Sequence, residues 1–572
     1  MYYTAISRKI LYPIFLCRKL LIILSVYGIL VKYVQYSVEG EMMTKINKFL
    51  YNSEDYAKKL ICFLMTIIMG FLFIDSFLNT MHIVSDDVTF EGVFLHHDNI
   101  FLNACYFFII FVGILVVVPY IEKIPIAYQL SVLSLVTIAC GVAWILTAQC
   151  ELHADSLTII EAAKRAAKND FSFFNERYFN DYQYLLGTLG YFEIFARLFQ
   201  SDHITILYLQ IPNLIYFVLS YIGIVITLGK LFKSKRIQSI ACLTLLFCIQ
   251  PIMFSVFVYG IIPGFCFSVY AFLFEVMYFQ CETKKRYLWG FLSALSLTLA
   301  VVIKSNNYIV LIALLGMALV KFFSRRKISD LVYIVVAAVM ALSSMPIIAK
   351  SYEIRSGIKL GDSVPMMAWL AMGLDDPGNT AGCTAPGWYS GEHTAVQHME
   401  CGYDADKTAE ATKEAVKERI GVFMNDYNYA NDFFYEKITS QWNEPTYECL
   451  WLNWARPKYN QGSNLTYRRI AESGSPYLVE YMNIHQQFVF FAALIGVLLC
   501  FKKKDILCSG FILIILGGFL YHLIFEAKSQ YILPYFIFMC GFSAVGTDYI
   551  YDKLNELLAK HRKNKKAKAD AK

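Results

Sequence analysis

The sequence predicts an all-α polytopic membrane protein, about twelve transmembrane helices with a mixed extracytoplasmic segment set among them. Hydrophobic residues make up 57% of the 572-residue chain and charged residues 17%, a balance too apolar for a soluble protein of this length. Apolar runs of about 18–25 residues recur, each long enough to cross roughly 30 Å of hydrocarbon. Lys and Arg gather in alternate loops between those runs, the asymmetry that sets orientation in a bilayer.

The runs fall near 60–82, 102–121, 128–148, 204–229, 237–256, 263–281, 287–303, 306–322, 329–349, 485–502, 506–525 and 529–548. With the segment before 60 inside, the inner loops carry Lys123; Lys230, Lys233, Lys235 and Arg236; Lys284, Lys285 and Arg286; Lys321, Arg325, Arg326 and Lys327; and Lys502, Lys503 and Lys504. The outer loops 83–101 and 257–262 hold no Lys or Arg. The net charge of +6 thus belongs to loops that face a membrane, and nucleic acid is not an expected partner.

The organisation that follows is a cytoplasmic or interfacial segment 1–59, a transmembrane core 60–349 containing a first large outer loop 150–203, an outer soluble segment 350–484, transmembrane helices 485–548 and a basic cytoplasmic tail 549–572. The apolar run 19–35 is broken by Lys32, and Met42-Met43 reads as an alternative start, so residues 1–41 are read as an extension. The 15 Cys residues lie mostly in spans without metal-ligand spacing and read as small core residues. A Cys383–Cys401 bridge is compatible with the outer segment.

Candidate chemistry concentrates at the outer face. Asp155 follows the run 128–148 and precedes an Ala-rich amphipathic pattern over 156–168. A helix N-cap is the structural alternative for this Asp. Lys304, in the turn Lys304-Ser305-Asn306-Asn307, and Lys528, in Glu526-Ala527-Lys528-Ser529, break the charge alternation. A cation at that depth is commonly paired or functional. Snorkelling or a local Lys528–Glu526 pair is the plainer account. His153, Glu526 and Trp388 are accessory candidates. Five of the seven Trp residues (369, 388, 442, 451, 454) lie in 350–484, where they serve as sugar-stacking faces or interface anchors. Asp86, Asp87, Glu91, His96, His97 and Asp98 read as solvated loop charge, and Asp375 and Asp376, before Pro377-Gly378, as turn residues.

The layout resembles the GT-C superfamily of membrane glycosyltransferases, in particular bacterial members of the protein-mannosyltransferase and aminoarabinose-transferase type that use polyprenyl-phosphate sugars. The resemblance rests on Asp155 in the first large outer loop, the juxtamembrane helix after it, Asp170 to Leu185 with Phe179, Tyr182 and Tyr184, and Glu526-Ala527-Lys528-Ser529-Gln530-Tyr531. It covers roughly 60–548. Gln530 stands where the pattern carries Arg, so no phosphate-binding role carries over to that position. The resemblance implies a GT-C-like bundle in the bacterial plasma membrane and sugar transfer from a polyprenyl-phosphate carrier. The acceptor would be an extracytoplasmic glycan, glycolipid, teichoic acid or protein. Some members use a divalent metal, for which the sequence offers no ligand set.

A lipid phosphate leaves as a stable anion, so transfer needs a base and a phosphate-holding cation rather than the paired carboxylates of glycoside hydrolysis. Asp155 is the expected base of a single inverting displacement, with Lys304 and Lys528 at the donor phosphate. A flippase of lipid-linked saccharides, a polysaccharide polymerase or ligase, and a catalytically silent scaffold of the same fold are the alternatives.

Overall fold

The computed structural model describes residues 40–87, 90–148, 150, 152, 154–199, 206–376, 385–450 and 475–570. Residues 1–39, His153, Cys383, Trp451 and Trp454 lie outside them, as do the side chains of Asp86, Asp87 and Glu91. Helices make up 81% of the structure. Among the described residues, eleven are long and apolar enough to cross a membrane: Asn52–Leu78, Ile100–Ile121, Ile126–Ala148, Leu207–Phe232, Ile261–Gln280, Lys285–Ile303, Ser305–Arg325, Ile328–Ser356, Ser475–Cys500, Ile506–Ile524 and Leu533–Asn564. The chain is a multi-pass membrane protein.

The run 237–256 departs from expectation. It is not one straight span but a helix Lys235–Leu246 and a short helix Gln250–Phe254, separated by 247–249. Pro251 accounts for the break, since it lacks an N–H and its ring obstructs the preceding turn. A broken helix at membrane depth requires substitutes for its lost backbone partners, and neighbouring side chains supply them. Tyr481 donates to the Phe247 carbonyl at 2.6 Å and Trp144 Nε1 to Met253 at 3.1 Å. Gln210 donates to Val256 at 3.1 Å, and Asn213 to both Ser255 and Phe257 at 2.9 and 3.2 Å.

The basic loops meet at one end of the bundle, tied by ion pairs. Lys321 binds Glu54 and Asp505, each at 2.8 Å. Arg236 pairs with Asp548 and Asp552, and buried Asp330 accepts from Arg286 at 2.6 Å and Tyr278 at 2.9 Å.

At the other end, residues read as a solvated loop form a hairpin, Asn79–Asp87 against Phe90–His97, antiparallel with Thr80 opposite His96. Asp98 beyond it is structural. Its carboxylate accepts from Thr80 at 2.8 Å and from Asn483 at 2.8 Å, both donors buried. The segment after Ser356 carries helices Met366–Gly373, Ala405–Asn425 and Tyr427–Trp442. The last two are N-capped by Asp404 and Asp426. Asp376 is structural, accepting from Arg419 at 3.3 Å and from Tyr429.

Candidate functional site

The helix Ala154–Ala167 forms where the amphipathic pattern predicts it. Ser156, Ile159, Ile160, Ala162, Ala163 and Ala166 share its buried face, the spacing of one helical stripe. Its far end is held by Arg197, which donates to the Ala166 carbonyl at 3.0 Å. Arg197 and Arg355 also flank the Glu193 carboxylate, which takes a hydrogen bond from Tyr352 at 2.8 Å. Asp155 lies in the first turn of this helix and is exposed. Its carboxylate accepts from Tyr178 Oη at 2.8 Å and Tyr259 Oη at 3.5 Å. Ala154, just before it, has φ 46°, a left-handed conformation that costs a residue with a Cβ about 1 kcal/mol or more.

Lys304 follows the last residue of the helix Lys285–Ile303 and is buried. Three neighbours fix the end of that helix. Asn307 Nδ2 donates to the Ala300 and Lys304 carbonyls, each at 3.0 Å, and Thr188 donates to Ile303 at 2.6 Å. Gly260 packs so closely that a Cβ there would collide with the Ile303 carbonyl oxygen. The Lys304 ammonium rests 4.1 Å from the Tyr259 ring centroid and 5.3 Å from that of Tyr531. Burial pulls it below the ordinary lysine value, down to about 8, against the opposing pull of Glu526 and Asp155.

The loop 525–528 is clamped from the soluble segment. Buried Lys437 donates to the Phe525 carbonyl at 2.8 Å and to Gly373, and Ala527 N donates to Gly387 at 2.8 Å. Glu526 therefore sits beside Lys304, with Tyr531 Oη donating to it at 3.3 Å. Burial pushes its carboxyl up, while Lys528 and Lys304 hold it down. Lys528, which acts on Glu526, also pairs with Glu448 at 3.9 Å. Glu448 also accepts from Ser529 at 3.2 Å and from the Gln530 backbone N at 3.1 Å. Lys528 lies 5.7 Å from the ring of Trp388, which is buried and donates to Ser440 at 3.2 Å.

Asp155, Lys304, Glu526, Lys528 and Trp388 thus gather around one site; His153 is outside the described residues. An aromatic wall completes it. Trp369 stands 6.0 Å from Tyr182 and 5.7 Å from Tyr184 by ring centroids, and the hydroxyls of Tyr182 and Tyr389 lie 3.5 Å apart. Tyr389 is 45% exposed, so part of this wall is open to a ligand. Beside Lys304 lies a small cavity of about 30 Å³, lined by Asn306 and Asn307 at its polar part and by Phe265, Val310 and Phe538 at its apolar part.

Trp369 is among the tryptophans that the sequence singles out as sugar-stacking faces, whereas Tyr178, Tyr259, Tyr389 and Glu448 join the site without being singled out from the sequence. Tyr259 lies in the charge-free turn 257–262 and carries no local mark of its role. Tyr531 was visible only as the last letter of the Glu526–Tyr531 stretch.

No family model, no curated protein and no solved structure matches this chain.

Proposed function

We propose that the protein is a membrane glycosyltransferase that moves a sugar from a polyprenyl-phosphate carrier to an extracytoplasmic acceptor, such as a glycan, glycolipid, teichoic acid or protein. The observation that carries this reading is Tyr259, whose hydroxyl meets Asp155 and whose ring faces Lys304. A base and an anion-holding cation are thereby held across one side chain. Asp155 would take the proton of the acceptor hydroxyl as it attacks the anomeric carbon, with inversion. Lys304 would face the departing lipid phosphate, in surroundings where burial strengthens the pairing. Tyr182, Tyr184, Trp369 and Tyr389 offer ring faces suited to a sugar. On this reading the site faces the outside of a bacterial plasma membrane, where a lipid-linked donor rather than a cytosolic nucleotide sugar is at hand.

One observation favours a flippase: transporters place broken helices at their binding sites, and 235–254 is broken. Its freed carbonyls, however, are taken by Tyr481, Trp144, Gln210 and Asn213, which leaves them satisfied without a cargo. Sealed vesicles containing the protein and a polyprenyl-phosphate sugar labelled in the sugar separate the two. Label appearing in a new, larger product supports transfer. Label that crosses the bilayer still attached to its lipid, with no new product, overturns transfer in favour of transport.

A further inference from the structure

Two cysteines read from sequence as core residues, Cys248 and Cys540, converge with His485. Cys248 lies at the break between Lys235–Leu246 and Gln250–Phe254, His485 on Ser475–Cys500 and Cys540 on Leu533–Asp570. Their two sulfurs and one imidazole nitrogen all lie within 4.8 Å of one another. We propose that Cys248, His485 and Cys540 bind one zinc ion, which pins the break in the helix to two neighbouring spans.

Three features point to a ion rather than to ordinary packing. The ring nitrogens of His485 are enclosed with no well-formed hydrogen bond, the Thr244 backbone lying beside the ring, and the Cys248 thiol has only a long contact to Gln250 Oε1 at 3.4 Å, a costly arrangement for an imidazole. The Tyr221 hydroxyl, on a side chain 1% exposed and beside both thiols, also lacks a hydrogen bond. Two such polar groups around one pair of sulfurs are what a missing central partner leaves behind. The donor set is also that of zinc, with Zn–S about 2.3 Å and Zn–N about 2.0 Å. Those lengths set tetrahedral ligand atoms roughly 3.3–3.8 Å apart, so side-chain closure of about 1 Å suffices.

Charge selects among soft metals. Binding removes a proton from each thiol, and two thiolates with a neutral imidazole cancel the charge of a divalent ion. The filled site is neutral, which a buried position among transmembrane helices demands. A monovalent copper ion would leave a net negative charge there.

The test uses the full chain purified in detergent under reducing conditions after growth with zinc. Elemental analysis should give about one zinc per chain, and Cys248→Ser and Cys540→Ser should each lose it. Because a serine variant can fail by misfolding, wild type carries an independent readout. Exchange with Co2+ should produce the intense visible absorption of a tetrahedral site with thiolate charge-transfer bands, and chelation should make two further thiols reactive. A folded wild-type protein that takes up neither Zn2+ nor Co2+ overturns the proposal.

Discussion

The ammonium of Lys304 lies 4.1 Å from the ring centroid of Tyr259, and the same tyrosine donates to Asp155 at 3.5 Å. The two functions of that side chain can be separated. Tyr259→Phe keeps the face under Lys304 and loses the hydroxyl. Under the proposed mechanism it should lower kcat by on the order of tenfold, about one hydrogen bond, with donor KM little changed. Tyr259→Ala removes the face too, a loss of about 2 kcal/mol for a desolvated cation–π contact, and should raise donor KM as well. Equal kinetics for the two variants would remove Tyr259 from the phosphate side.

Lys304 should give the reaction an alkaline limb. Burial lowers its pKa to about 8, so the ammonium is lost as pH rises through that value. A sugar phosphodiester does not titrate there, so kcat/KM, which reports the free enzyme, should fall above pH 8. Lys304→Arg keeps its charge throughout and should abolish the limb; Lys304→Met should depress kcat/KM at every pH. An unchanged limb in the Arg variant assigns the titration to another group.

Gly260 acts on Lys304 without meeting a ligand. A methyl group there collides with the Ile303 carbonyl and must shift the residue that follows. Gly260→Ala should raise donor KM by on the order of tenfold, about 1.4 kcal/mol, while abundance stays near normal. Titration of transfer against donor concentration measures it, and an unaltered KM would show that the close approach does not set the position of Lys304.

Much of this architecture was legible from composition and charge alternation, because a bilayer imposes length, apolarity and loop charge on each span. The break at 247–249 was only half legible: Pro251 marks it, but Pro212 and Pro346 lie inside unbroken helices, and periodicity cannot report that Trp144, Gln210 and Asn213 stand ready to replace lost backbone partners. Asp155, Lys304 and Lys528 could be singled out because a charge at the edge of an apolar run is conspicuous. Tyr259 and Glu448 were hidden, one among 40 tyrosines and the other in a long polar segment. Their role arises from approach across about 100 and 80 residues of chain, a relation no local pattern contains. Asp155 lies in the first turn of its helix and its carboxylate also accepts from two phenols, so a place at the helix start and a place in the site coexist.

Stability should depend on Asp98, one of the carboxylates of the hairpin region. Asp98→Ala takes the acceptor from buried Thr80 and Asn483 and should cost about 2 kcal/mol. Asp98→Asn, which keeps one acceptor oxygen, should cost less. Thermal unfolding in detergent distinguishes them, and an Ala variant as stable as wild type would mean that water satisfies both donors.

The most direct measurement is transfer from a polyprenyl-phosphate donor pool by membranes carrying wild type or Asp155→Asn at equal abundance. Asn retains an oxygen that accepts from Tyr178 or Tyr259 and is nearly as good as Asp at a helix start, so folding should be preserved while the base is lost. The account predicts a fall of on the order of 100-fold or more, the contribution of a general base. Transfer by Asp155→Asn at the wild-type rate would contradict it and reduce Asp155 to a structural residue at the start of its helix.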